Sequence, residues 1–169
     1  MFDNFLQAPL LVGERITLSI VNKRDKEPYF LLAINKEENA LWGYDYSEDI
    51  LGEPTPDDFF NLLEQLKNNK EELSFAIKKE GVFIGELVVH DFKNCDFEIG
   101  FRILPSYKKQ GFVYEAVNLL LKFIKQFVKP KKVRAKCYHA NLPSKNLLNK
   151  LGFNLVYKDD TYFYFELPL

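Results

Sequence analysis

Apolar and polar positions change period several times along the chain, and each change marks an element. Residues 15–21 alternate apolar with polar and are rich in β-branched side chains, the pattern of a half-buried strand. Over 25–35, Tyr29, Phe30, Ala33 and Ile34 recur at helical spacing and predict a first amphipathic helix. Residues 37–56 keep no period, so an irregular, aromatic loop is expected there. Thr55-Pro56-Asp57-Asp58 joins a capping hydroxyl, a proline at the first helical position and acids in the first turn, which starts a helix running to about residue 69. Strands follow at 73–79 and 82–92, joined at Glu80-Gly81, and a third at 97–104 after the polar turn 91–96. Val113, Ala116, Val117, Leu120, Leu121 and Ile124 make one helical stripe that ends before Pro130. A strand at 133–138, a short helix at 143–151 stopped by Gly152, and a closing hairpin of 153–157 with 162–167 complete the pattern. Helices set between groups of strands, with hairpins and crossovers mixed, predict an α/β (α+β) architecture with helices on both faces of one sheet.

Composition narrows the class. The 169 residues, 47% of them hydrophobic, suit one domain over 1–169. With 23 Lys and Arg against 24 Asp and Glu, no overall charge draws the molecule to nucleic acid or an anionic membrane, so any anion site must be local. Cys95 and Cys137 lack metal-clip spacing and are expected as reduced thiols, with no metal. No segment reaches the ~20 apolar residues of a membrane span and the first residues lack a basic leader, so a cytoplasmic protein, monomer or homodimer, is expected.

Candidate chemistry begins after Pro105. A strand, then Ser106-Tyr107-Lys108-Lys109-Gln110-Gly111-Phe112-Val113, then a long helix is an arrangement able to hold an anion. The first turn of a helix leaves N–H groups without partners, and its dipole adds positive potential. Gly111 lets the backbone approach a ligand, and Lys108 and Lys109 are expected as mobile cations at the rim. From spacing alone, a lysine-rich turn containing a glycine is the favoured reading. The nucleotide-binding motifs Gly-x-x-x-x-Gly-Lys-Ser/Thr and Gly-x-Gly-x-x-Gly are absent.

Phe97-Glu98-Ile99-Gly100-Phe101-Arg102-Ile103, followed by Lys108-Lys109-Gln110-Gly111-Phe112-Val113-Tyr114-Glu115-Ala116, resembles the acetyl-CoA signature of the GNAT N-acetyltransferase superfamily. The family pattern Gln/Arg-x-x-Gly-x-Gly/Ala keeps its central glycine at Gly111, with Lys108 at the first place and Val113 at the last. A second block, Asn141-Leu142-Pro143-Ser144 through Lys150-Leu151-Gly152-Phe153, is similar to the family's Asn-x-x-Ser/Ala…Lys-x-Gly-Phe segment. The ribosomal-protein N-terminal acetyltransferase (RimJ/RimL-like) branch is the most similar. The resemblance implies a mostly antiparallel, twisted sheet of six to seven strands with a splayed strand pair admitting coenzyme A. Phe101 and Ile103 would meet the pantetheine by main-chain contacts, and Lys108, Lys109, Gln110, Gly111, Phe112, Val113 and Tyr114 would hold the pyrophosphate. Asn141 and Ser144 would lie near the thioester, Asn146 and Lys150 nearer the rest of the cofactor.

The function so implied is transfer of acetyl from acetyl-CoA to an amine, on a peptide or protein N-terminus or a small molecule. The chemistry needs an acid for the leaving thiolate and a base for the amine. The tyrosine that the family often uses falls at Leu148, so Ser144 is the candidate acid, or else a helix-terminal or cofactor contact. Glu98 and then Glu86 are candidate bases, with His90 and Asp91 behind them, a structural carboxylate being the other reading of Glu98. His139 is expected at the surface. Trp42, Tyr44 and Tyr46, with the acids Asp45, Glu48 and Asp49, would line the acceptor site. A catalytically silent CoA-binding or sensor module is the alternative.

Overall fold

The computed structural model describes residues 1–42 and 46–169, without the side chains of Tyr46 and Asp49. A short helix α1 (Phe2–Leu6) precedes strands β1 (Leu11–Val12) and β2 (Thr17–Ile20). Helices α2 (Lys26–Ala33) and α3 (Lys36–Trp42), a 3-10 turn at Tyr46–Asp49 and helix α4 (Pro56–Asn68) follow. Strands β3 (Glu72–Lys79), β4 (Val82–Lys93) and β5 (Asp96–Ile103) form an antiparallel meander that leads into α5 (Phe112–Phe123). Strand β6 (Lys132–Tyr138), helix α6 (Leu142–Lys150) and the hairpin β7 (Asn154–Lys158) and β8 (Tyr162–Pro168) end the chain. The expected capping of α4 is present in full: Asp58 N–H donates to Thr55 Oγ1 and the Thr55 N–H donates to Asp58 Oδ2. Gly152, at φ +88°, closes α6 with Gly152 N–H to Asn149 O and Phe153 N–H to Leu148 O, the paired bonds of a left-handed helix stop.

Eight strands form one sheet in the order β1-β2-β3-β4-β5-β6-β8-β7, antiparallel everywhere except between β5 and β6. This is one strand beyond the six to seven expected, because the two-residue β1 is too short to carry a period. The stretch 37–56, expected as loop, begins instead inside α3. Asn35 Oδ1 accepts from Glu38 N–H at its start, and Lys36, Glu37, Glu38, Ala40 and Leu41 are good helix formers. Seven residues are too few to hold a helix in isolation; tertiary bonds described below do so.

The sheet buries both faces. Leu73, Phe75, Ile77, Leu87, Val89 and Ile99 pack with α1, α5 and α6 into the larger core. Ala76 and Phe83 on the opposite face meet Tyr29, Leu32, Phe59 and Leu63 from α2 and α4. Helix α1, unmarked by any sequence signal, seals the larger core: Phe5 is fully buried, with rings of Phe75, Phe92, Phe97 and Phe123 within 6.5 Å of its own. Removing a ring so enclosed costs about 3–5 kcal/mol. Phe5→Ala is therefore expected to lower unfolding stability by that amount in a urea titration, and a loss below about 1 kcal/mol would show that α1 is dispensable.

Candidate active site

Strands β5 and β6 stay in register only at Phe97↔Val133 and Glu98↔Arg134. Beyond that point they diverge, and their facing main-chain groups have no ladder partner among the described residues. Two cavities open at the divergence. The first, about 430 Å³, lies between Glu98, Ile99 and Gly100 of β5 and Lys136, Cys137 and Tyr138 of β6. The second, about 370 Å³, runs from Phe101, Arg102 and Ile103 past Tyr107 to the start of α5. Leu41, Trp42, Phe101, Asn141 and Ser144 line both, so the cavities meet at a common wall.

The second cavity ends on the N-terminus of α5. Gly111 precedes that helix at φ +81° with no side-chain cap, which leaves the first-turn N–H groups facing the cavity end. A side chain here would be strained, and its Cβ would approach Arg15 Nη2 to 3.3 Å. Arg15 braces this turn from the far end of the sequence. Its Nη1 donates to Gln110 O at 2.8 Å, its Nε to Glu115 Oε2 at 2.9 Å, and its guanidinium lies 4.8 Å from the Phe112 ring. Although burial opposes it, the Arg15 hydrogen bonds and charge hold the Glu115 carboxyl below its ordinary range.

Lys108 is not the mobile cation expected. It is paired with Glu38, a buried residue of α3, so its charge is spent on fastening α3 to the loop. Lys150, stacked 4.6 Å from the Tyr114 ring, lines the cavity, as do Lys109, Val113, Pro143 and Leu147. Gln110 lines neither cavity; its amide donates to Ser106 O and shapes the turn. Asn146 is exposed and also lines neither, since the cavity face of α6 is drawn by Pro143, Ser144, Leu147 and Lys150. Asn141 caps α6, accepting from Ser144 N–H at 3.2 Å, while the Ser144 hydroxyl has no partner among the described residues. Leu148, where the resemblance implied a tyrosine, is buried in the core.

The first cavity is polar at its far end. Glu72, His90 and Glu98 are register partners across β3, β4 and β5, and all three line it. Glu98 meets Arg134 at 3.4 Å, Lys136 at 3.6 Å and His90 Nε2 at 3.9 Å. Burial pushes the His90 imidazole below its ordinary value near 6.5, with Glu98 opposing the shift. Tyr138 and Tyr162 add aromatic wall, ring centroids 4.5 Å apart. Glu86 is elsewhere: fully buried, it binds Arg102 Nε at 2.5 Å and lines neither cavity. An amine could not reach it without breaking that pair. Arg102 also donates to Asn39 Oδ1 and stacks 4.8 Å from Trp42, tying α3 to β5. His139 packs 4.3 Å from the Phe163 ring and lines neither cavity.

Trp42 sits where the cavities join, and Gly100 makes room for it. A Cβ at 100 would fall 2.8 Å from Trp42 Cη2 and 3.0 Å from Val88 Cγ1. Of the other residues expected around the acceptor, Tyr44 and Asp45 lie outside the described residues, as do the side chains of Tyr46 and Asp49. Glu48 is exposed and lines neither cavity. Arg15, Glu38, Leu41 and Glu72 belong to the site without having been legible in the sequence, because none carries a local motif. Among the described residues, no helix is long and apolar enough to cross a membrane.

Comparison with known proteins agrees with this geometry. Residues 15–154 match the family model for the acetyltransferase (GNAT) domain. A Bacillus subtilis (strain 168) protein named uncharacterized N-acetyltransferase YnaD is 27% identical over 86 residues, 50% of this chain and 51% of that protein. The matched stretch thus spans about half the length of that relative. In fold, the chain is similar to RimL, a ribosomal L7/L12 alpha-N-protein acetyltransferase in complex with coenzyme A, with a TM-score of 0.80 and 12% identity over 95% of this chain and 98% of that one. It is also similar to a spermidine N-acetyltransferase from Vibrio cholerae in complex with CoA and spermine, with a TM-score of 0.77 and 14% identity over 92% and 96%.

The contact between Trp42 and Gly100 can be tested optically, because Trp42 is the one tryptophan of the chain. Gly100→Val is expected to displace the indole and shift its fluorescence, with far-UV circular dichroism unchanged. An identical emission spectrum would mean that the ring does not rest on Gly100.

Proposed function

The chain belongs to the acetyltransferase (GNAT) family, and on that premise we propose that it moves the acetyl group of acetyl-CoA to an amine held in the acid-lined cavity. The observation that carries this is the meeting of two cavities at Phe101, Asn141 and Ser144, one ending on an uncapped helix N-terminus and the other on carboxylates and an imidazole.

The residues present fit coenzyme A. A diphosphate can accept from the first-turn N–H groups of α5, with Lys109 and Lys150 adding positive charge beside them. The unpaired main-chain groups of β5 at Phe101 and Ile103 suit the amides of a pantetheine arm, which would extend the sheet into the gap. Tyr107, Phe112 and Val113 supply apolar wall. Acetyl-CoA, when bound, supplies the activated acyl group. The protein's part is to hold the amine against it, take up a proton from the amine and return one to the leaving sulfur. Ser144, on the shared wall with its hydroxyl uncommitted, is the group we assign to the sulfur. Of the two carboxylates expected as bases, Glu98 reaches the acceptor cavity and Glu86 does not, so the acceptor's proton leaves at the end of the cavity where Glu98 lies.

Two acceptor classes differ in demand. Deprotonating an α-amine of pKa near 8 at pH 7 costs about 1.4 kcal/mol, and an alkylamine near 10.4 about 4.6 kcal/mol. The acid-lined cavity with Trp42, Tyr138 and Tyr162 around it suits a cationic acceptor of either class. The single domain and a monomer or homodimer remain part of this proposal.

Free thiol released from acetyl-CoA, measured against a panel of peptides, polyamines and aminoglycosides, tests the function. At least one amine is expected to be acetylated, and saturable CoA binding without thiol release from any of them would mark a silent binding module instead. Ser144→Ala is expected to lower kcat about tenfold or more while CoA affinity stays within about tenfold, ~1.4 kcal/mol. Full turnover in that variant would remove Ser144 from the reaction.

A further inference from the structure

Glu72, His90 and Glu98 form a row across three strands at the far end of the acceptor cavity. We propose that His90 is the group that takes the proton from the acceptor ammonium, and that Glu98 is a positioning residue acting through it. This rests on the acetyl transfer proposed above and names the base of that same site.

The geometry separates the two roles. Both Glu98 oxygens face cations, Oε2 toward Arg134 at 3.4 Å and Oε1 toward Lys136 at 3.6 Å. Arg134 is in turn shared with Asp91 and Asp96, each at 2.8 Å, so Glu98 belongs to a network joining β4, β5 and β6. The His90 side chain makes no hydrogen bond among the described residues; its Nε2 stands 3.9 Å from Glu98 Oε1. That gap is too long for a hydrogen bond, yet both atoms lie within reach, at ~2.8–3.0 Å, of one nitrogen or one water placed between them. A cationic amine in the cavity would donate to the carboxylate and to the imidazole together, directly or through that water. The carboxylate fixes the cation, and the neutral imidazole offers the lone pair that accepts a proton.

The charge environment of His90 is known from each side. Glu72 faces the same cavity from β3, Glu98 from β5, Lys136 from β6 and Tyr162 from β8; Arg134 of β6 acts on it through space beside Glu98, and Asp91 adjoins it on β4. Glu98 and Asp91 favour the imidazolium, Arg134 and Lys136 oppose it, and burial, the largest influence, favours the neutral ring. In the reaction, one ammonium proton passes to His90 Nε2 as the amine becomes nucleophilic. The N–C bond forms while the C–S bond breaks, the second nitrogen proton reaches the sulfur by way of Ser144, and His90 releases its proton to solvent. The sum is one amide, one thiol and one proton.

The chain has two histidines, so both imidazoles can be followed by NMR, with or without cofactor. His90 is expected to titrate below 6.5 and the acidic limb of kcat/KM for the acceptor to follow it. Glu98→Gln removes a charge that favours the imidazolium, so both the NMR titration and the limb should move to lower pH by the same amount. His90→Gln should lower kcat/KM at pH 7.5 by ~10²-fold and abolish the limb, with CoA affinity within about threefold. His139→Gln should change neither. A His90→Gln enzyme with the wild-type rate and limb would overturn the proposal, as would a Glu98→Gln enzyme whose His90 titration moves while its limb does not. If neither moves, Glu98 has no part in it. A wild-type protein that acetylates no amine would refute the function on which this rests, a result distinct from turnover with an unaltered limb.

Discussion

The site depends on one interruption of hydrogen bonding. β5 and β6 pair as parallel neighbours at Phe97 and Glu98 and then part, so a sheet otherwise continuous over eight strands contains a wedge-shaped opening. A buried unpaired amide is costly, and such a gap persists only where water, side chains or a ligand can satisfy it. Everything functional is arranged around the opening: the acid row at its closed end, Trp42 and Ser144 where it widens, and the first turn of α5 at its mouth. α3 holds it from one side through two polar ties, Glu38 to Lys108 and Asn39 to Arg102, and through the apolar packing of the Trp42 indole against Gly100.

The two faces of the sheet divide the labour. One face of the central strands carries Phe75, Ile77, Leu87 and Val89 into the larger core and supplies stability by burial. The other carries Glu72, Glu86, His90, Glu98 and Arg102, groups that a sheet would bury only with partners. Glu86 and Arg102 satisfy each other and serve as scaffold. Glu98 and His90 stand beside open volume, where a ligand can reach them. Identical residue types on one strand face are thereby sorted into structure and chemistry by what lies above them.

Local signals made most of the fold legible. Period 2 marked the strands, the Thr55 cap and Gly152 stop fixed two helix ends, and the apolar stripe from Val113 to Ile124 located α5. α1 and α3 escaped because they are short and owe their existence to long-range contacts, Phe5 in the core and Glu38 on Lys108, and β1 because its two residues carry no period. The same limit applied to the site. Motif spacing singled out Gly111, Asn141 and Ser144, and all three line the second cavity, since backbone geometry there is local. It could not foresee that Arg15 would brace a turn 95 residues away, that Lys108 would be neutralised, or that Asn146 would face solvent. Glu98 ranked before Glu86 as a base in the sequence, but that Glu86 is locked to Arg102 while Glu98 faces open volume could be read only from their partners.

The central claim is that the open N-terminus of α5 grips the diphosphate of coenzyme A. Isothermal titration of CoA into the wild-type protein and into Gly111→Asp tests it most directly, because the aspartate would place its own carboxylate in the cradle. Saturable binding by the wild type, lost in a variant that remains folded, is the predicted result. Equal affinity in the two proteins would contradict it.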